Sequence, residues 1–221
     1  MTDAEILKHI DLTLLKAASS WAEVRKLCDE GIRFKTASVC IPPSYVKPVF
    51  ETYGEKIPVC TVLGFPLGYS LGSAKVLEAE EALKAGAEEL DMVINIGDVK
   101  NGYFDKVFSE IKAIKKTAGD KILKVIVETC YLTREEKIRM CEIVTGAGAG
   151  YIKTSTGLGP AGATLEDILL FKEHIGPGVK IKAAGGVRTR EDMAAYLEAG
   201  CDRIGTSSIS VLTNSLLKTA N

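Results

Sequence analysis

The sequence predicts a single α/β domain over residues 1–221, an eight-stranded parallel (β/α)8 barrel of the TIM type. Three observations carry this. Short apolar, β-branched runs alternate with amphipathic stretches along the whole chain. No Pro/Gly-rich linker or low-complexity tract divides it, and the strand runs number eight. At 221 residues and 46% hydrophobic content the chain can bury one sizeable core, near the lower size limit for such a barrel. Alternation of this kind requires parallel strands with helical crossovers, which open doubly wound sheets also satisfy. The barrel is preferred because no GxGxxG follows the first strand and the count closes at eight.

Taken in order, Asp11-Leu12-Thr13-Leu14-Leu15 supplies a short first strand. Strand runs follow at 35–41, 59–65, 90–96, 122–128, 151–156, 179–184 and 203–206. Between them, 22–30, 74–85, 104–116, 135–144, 165–174 and 191–199 place apolar residues near i, i+3 and i+4, the helical spacing. Helix starts are signalled by a hydroxyl residue with an acid three positions on: Ser20 with Glu23, Thr133 with Glu136, Thr164 with Asp167, Thr189 with Asp192. Gly31, Gly86, Gly148 and Gly200 are expected as left-handed caps at helix ends.

Net charge is -1 with both signs scattered, which leaves no electrostatic footprint for nucleic acid or an anionic membrane. The expected partner is a small molecule. Residues 1–10 lack a basic start and an apolar core, and no long apolar stretch occurs, so a cytoplasmic protein is expected. Six cysteines at irregular spacing, with no CxxC, read as reduced thiols without disulfides. The two histidines, His9 and His174, form no HxH or HExxH pattern, so no metal site is expected.

Lys153 sits in the strand-like Tyr151-Ile152-Lys153-Thr154-Ser155-Thr156-Gly157, and Lys182 in Lys180-Ile181-Lys182-Ala183-Ala184-Gly185-Gly186. Strand residues alternate faces, so parity sorts such charges. Leu90, Met92, Ile94 and Ile96 suit the helices, which turns Asp91 inward. The expected interior set is Asp91, Lys124, Glu128, Lys153 and Lys182, either a filling ion-pair network or amine chemistry. A free lysine, pKa ~10.4, is neutral in about one molecule in a few thousand at pH 7, and a buried neighbouring cation such as Lys182 is expected to lower Lys153 toward neutrality.

Glycine and serine loops leave the last two strands at Gly185-Gly186 and at Gly205-Thr206-Ser207-Ser208, each leading to a helix start. Bare amides there bind phosphate, and barrels often place phosphate at these strand ends. Cys40, at the mouth end of its strand, is expected to be exposed there.

These residues resemble class I deoxyribose-phosphate aldolase. IDLTLLK, SVCIPP, LDMVINIG, LKVIVET, YIKTSTG, IKAAGGVRT and RIGTSS span nearly the whole chain in that family's order. The resemblance implies a (β/α)8 barrel that reversibly cleaves 2-deoxy-D-ribose 5-phosphate to acetaldehyde and D-glyceraldehyde 3-phosphate, without cofactor or metal. It implies Lys153 as the Schiff-base lysine, Lys182 as the second lysine, and Asp91 as the acid that works with a water. Asp11, Thr13, Cys40 and Thr156 fall in the substrate-binding part. Gly157, Gly185, Gly186, Val187, Arg188, Gly205, Ser207 and Ser208 fall in the phosphate-binding part. A dimer or higher homo-oligomer is also implied. Leu158 stands where some members carry lysine, Leu12 where many carry histidine, and residues 217–221 lack the tyrosine-bearing tail of some members. A pyridoxal-phosphate barrel and a non-catalytic sugar-phosphate binder are the alternative readings.

Overall fold

The computed structural model describes residues 1–213. Its eight parallel strands close into a barrel in sequence order: β1 Ile10–Thr13, β2 Ser38–Ile41, β3 Val59–Leu63, β4 Glu89–Val93, β5 Ile122–Ile126, β6 Tyr151–Lys153, β7 Lys180–Ala184 and β8 Arg203–Thr206. The helices are α1 Asp3–Leu7, α2 Trp21–Phe34, α3 Val46–Tyr53, α4 Gly72–Lys84, α5 Ile96–Lys100, α6 Phe104–Ala118, α7 Arg134–Gly146, α8 Leu165–His174 and α9 Arg190–Ala199. The last expected helix begins at Ser210, and the tail at 217–221 lies outside the described residues. Among the described residues no helix is long and apolar enough to cross a membrane.

The expected caps form at Ser20, Thr133 and Thr189, each hydroxyl accepting from the third residue of its helix while the acid there accepts from the cap amide. Thr164 accepts from the Asp167 amide, but the box is not reciprocal. The Asp167 carboxylate turns instead to Lys137, 2.6 Å away, which ties α8 to α7. Gly200 caps α9 in the left-handed region, and Gly86 and Gly148 take positive φ just after their helices.

Gly31 corrects the sequence reading, because α2 runs past it to Phe34 and Lys35 takes the left-handed cap. A Cβ on Gly31 would lie 2.5 Å from Ile57 Cδ1 and 3.1 Å from Val39 Cγ1, so the glycine lets α2 approach the sheet closely. That longer helix also delays β2 to Ser38. Helix α3 went unpredicted although it carries Pro48. In the first turn a missing N–H removes no intrahelical bond.

Parity holds through the barrel. Leu12, Val39, Ile41, Leu90, Met92, Leu123, Val125, Ile152, Ile181, Ala183 and Ile204 face the helices and join one apolar core with the inner stripes of α2, α6, α7 and α8. Each such fully buried aliphatic is worth about 1.5–3 kcal/mol of transfer free energy. The other parity fills the barrel, and there the sequence spends charges.

Candidate active site

Register aligns the interior charges. Asp91 lies beside Lys124, Lys153 beside Lys182, and Lys182 beside Arg203 on neighbouring strands. Asp91 is fully buried and accepts from three lysine nitrogens: Lys124 on Oδ1 at 2.8 Å, Lys153 on Oδ2 at 2.8 Å and Lys182 on Oδ2 at 2.7 Å. The two strand lysines therefore share one oxygen, and their nitrogens are no farther apart than those two bonds allow. Lys182 also pairs with Asp11 at 2.5 Å, and Lys124 with Glu89 at 2.6 Å. Arg203 bridges Asp11 and Glu89, the latter at 2.7 Å, and its guanidinium lies over the Tyr151 ring.

Burial alone would raise the Asp91 carboxyl, yet the three lysines outweigh it and hold this group well below the usual carboxylate range. Asp11 is lowered in the same way by Lys182, Lys124 and Arg203 against its burial. Burial would lower Lys182, but Asp11 and Asp91 raise it above the ordinary lysine value, so it stays an ammonium. Lys124 is raised likewise by Asp91, Cys60, Asp11 and Glu89.

Above this layer opens a cavity of about 250 Å³ at the carboxyl ends of the strands. Its lining takes in Lys153, Thr13, Thr156 and Gly157, then Gly185, Gly186, Val187, Arg188, Gly205 and Ser207 from the last two strand ends. Lys153 is thus the one member of the charged network that reaches this space, while Lys124 and Lys182 stay beneath. The phosphate-binding residues read from sequence converge here apart from Ser208, whose hydroxyl meets that of Ser210 at 3.0 Å.

Other expectations are corrected. Cys40 is fully buried, not exposed at the mouth: it pairs in register with Cys60 and packs with Cys60, Val62, Leu15 and Phe65. Standing late in β2 does not bring it to the surface, because the β3 side chains close over it. Asp11 is likewise fully buried as a counter-ion and lies outside the cavity lining. Glu128 leaves the interior set because β5 ends at Ile126 and Glu128 turns into the left-handed region at φ 52, which breaks parity.

Glu89 and Arg203 were missed. Glu89 shares parity with Asp91 but stood one residue before the predicted strand, and Arg203 opened a predicted strand without being counted among its inward charges. Lys16, Leu158 and Thr206 also line the cavity. Cys40, Cys60 and Asp91 bring three metal-type ligand atoms within 4.8 Å of one another. Lys124, Lys153 and Lys182 already occupy the Asp91 oxygens, and the ammonium groups of Lys124 and Lys182 repel a cation.

The profile described as DeoC/LacD family aldolase matches residues 6–218. A deoxyribose-phosphate aldolase of Clostridium botulinum (strain Alaska E43 / Type E3) is 63% identical over 207 residues, covering 94% of this chain and 94% of that protein. Among solved structures, QR15, an aldolase, is 41% identical with a TM-score of 0.93, covering 98% of each chain. The tetrameric deoxyribose phosphate aldolase of Aeropyrum pernix is 29% identical with a TM-score of 0.91, covering 99% of this chain and 93% of that one.

Proposed function

Because this chain belongs to the DeoC/LacD aldolase family, we propose that it is a class I aldolase that reversibly cleaves 2-deoxy-D-ribose 5-phosphate, with Lys153 as the amine that attacks the aldehyde. The supporting observation is the unequal pairing of the interior charges. Four cations, Lys124, Lys153, Lys182 and Arg203, meet three carboxylates, Asp11, Glu89 and Asp91. A buried surplus cation is costly, and the least expensive relief is to release a proton. Lys124 and Lys182 each hold more than one carboxylate, whereas Lys153 holds Asp91 alone, a carboxylate that Lys182 and Lys124 also satisfy. The amine that can leave its ion pair is the one that faces the cavity.

From that position the neutral amine adds to the substrate aldehyde, water leaves, and the iminium draws electrons from the carbon-carbon bond that breaks. Asp91, anchored by Lys182 and Lys124, takes and returns protons at the lysine nitrogen. The glycine-rich strand ends bind the phosphate through backbone amides, with Arg188 at the rim, and remote binding becomes orientation of the reacting carbon. Thr13 and Thr156 line the same cavity and serve as substrate contacts. We also propose a homo-oligomer built from one catalytic domain per chain and, from the irregularly spaced cysteines, a cytoplasmic location.

Borohydride reduction with acetaldehyde tests this reading. It is expected to leave a stable ethyl adduct on Lys153, read by peptide mass. An unmodified Lys153 peptide from protein that turns over deoxyribose 5-phosphate would overturn the assignment.

A further inference from the structure

One buried carboxylate has no part in the charged network. Glu128 is 2% exposed, and among the described residues it forms no ion pair. Its backbone sits at φ 52 and ψ 67, a conformation that non-glycine residues hold only where the surroundings impose it. Its two oxygens lie equally, at 3.2 Å, from the amide of Thr156, across 28 residues of chain.

Thr156 begins the loop that contributes Gly157 and Leu158 to the cavity. The same loop crosses Glu128 again at Gly159, where a Cβ would stand 3.2 Å from Glu128 Oε1, so a bare backbone rides over the carboxylate. At its far end the loop is fastened by the Ala163 amide, which donates to the carbonyls of Ala184 and Gly185. There Gly162 packs so closely that a Cβ would lie 2.1 Å from the Gly185 oxygen. Between the two clasps Gly157 and Gly185, on different loops, lie so close that a Cβ on Gly157 would stand 3.6 Å from the Gly185 Cα. The second clasp is backbone only, whereas the first depends on a single side chain.

We propose that Glu128 is a positioning residue for phosphate recognition: by clasping Thr156 it holds the 156–159 segment in the shape that aims Gly157 at the phosphate. Glu128 is outside the cavity lining and makes no ion pair with Lys153, so its loss acts on the phosphate end and spares the amine. This rests on the aldolase reading above, and it deepens that reading by assigning the preference for phosphorylated over free sugar to a group outside the pocket.

The test compares wild type with Glu128→Gly, which suits the positive φ and removes only the side chain, and with Glu128→Gln, which keeps one accepting oxygen. Steady-state constants are measured on deoxyribose 5-phosphate and on deoxyribose, and the affinity for inorganic phosphate by thermal shift. Glu128→Gly is expected to raise KM for the phosphorylated sugar and the phosphate dissociation constant by about ten-fold, the size of a lost charge-assisted hydrogen bond. Its kcat/KM on deoxyribose is expected to stay within about three-fold of wild type, with Glu128→Gln restoring most of the phosphate affinity. Equal losses on both sugars, or unchanged phosphate affinity, would overturn the proposal. Should Glu128→Gly not fold, Gly159→Ala, which presses a methyl on the carboxylate, is expected to give the same split, and an unchanged ratio of the two KM values refutes it. Absence of turnover by wild type on either sugar would sink the aldolase reading instead, while phosphate affinity would still report on the clasp.

Discussion

Replacing Lys153 by methionine keeps the stem and removes one positive charge, which leaves Lys124, Lys182 and Arg203 facing Asp11, Glu89 and Asp91. No carboxylate oxygen is stranded, because Asp91 Oδ2 keeps Lys182 at 2.7 Å. Lys153→Met is therefore a nearly volume-conserving change at a balanced site, expected to cost under about 1.5 kcal/mol. Lys182→Met has the same chemistry and a different consequence. Asp11 Oδ2 loses its 2.5 Å partner and retains only Lys124 at 3.6 Å. Asp11 keeps Arg203 and the Ser38 hydroxyl on Oδ1, but its Oδ2 loses its close partner, and breaking a buried pair by removing one member costs about 3–5 kcal/mol. At about 2–4 °C per kcal/mol for a chain of this size, the melting temperature should fall by about 6–20 °C for Lys182→Met and by much less for Lys153→Met. Scanning calorimetry at pH 7 measures both, beside a coupled retro-aldol assay in which Lys153→Met is inactive. Equal loss of melting temperature in the two variants would refute the surplus-cation reasoning.

Asp11 and Asp91 are lowered in the folded state, so their contribution is complete above the unfolded aspartate value of about 3.9 and fades as pH falls toward the folded values. Near pH 3 the unfolded chain binds almost two more protons at these sites, and unfolding free energy should drop by about 2.5 kcal/mol per pH unit; an unchanged slope in Asp91→Asn would contradict this. Of the six cysteines only Cys130 is partly exposed, and a thiol reagent should label it promptly in the native protein while Cys28, Cys40, Cys60, Cys141 and Cys201 wait for unfolding. Rapid native labelling of Cys40 would show that the mouth opens farther than the strand packing allows.

Much of this site was legible because a β-strand has a two-residue period. Parity turned Asp91 inward from its apolar neighbours and grouped Lys124, Lys153 and Lys182 with it, and the structure brings all four together. Parity fails where the ladder stops, so Glu128, two residues past the end of β5, could not be placed by it. Depth is also invisible to it. The stagger between neighbouring strands decides whether a residue late in a strand is open or covered, and for Cys40 the neighbours cover it. Glu89 escaped because a strand end read from composition was off by a residue, enough to leave out a charge, whereas Arg203 opened its predicted strand and was not counted as an inward charge. Glycine, finally, carries two meanings. Gly200 relieves a left-handed turn while Gly31 admits a neighbouring side chain, and only the packing distinguishes them.

The lower half of the barrel is filled by Arg203, Glu89, Lys124 and the Tyr151 ring, all held by one another. The reaction chamber therefore has a floor and a single doorway. Substrate, the water expelled on forming the imine and both products pass the same rim, under the glycine loops that grip phosphate. While a phosphorylated sugar fills that doorway, a proton taken from Lys153 has no bulk water beneath it to escape into. Lys124 and Lys182 are already ammonium groups, so Asp91 is its acceptor there, and the proton is handed back at the next step rather than lost.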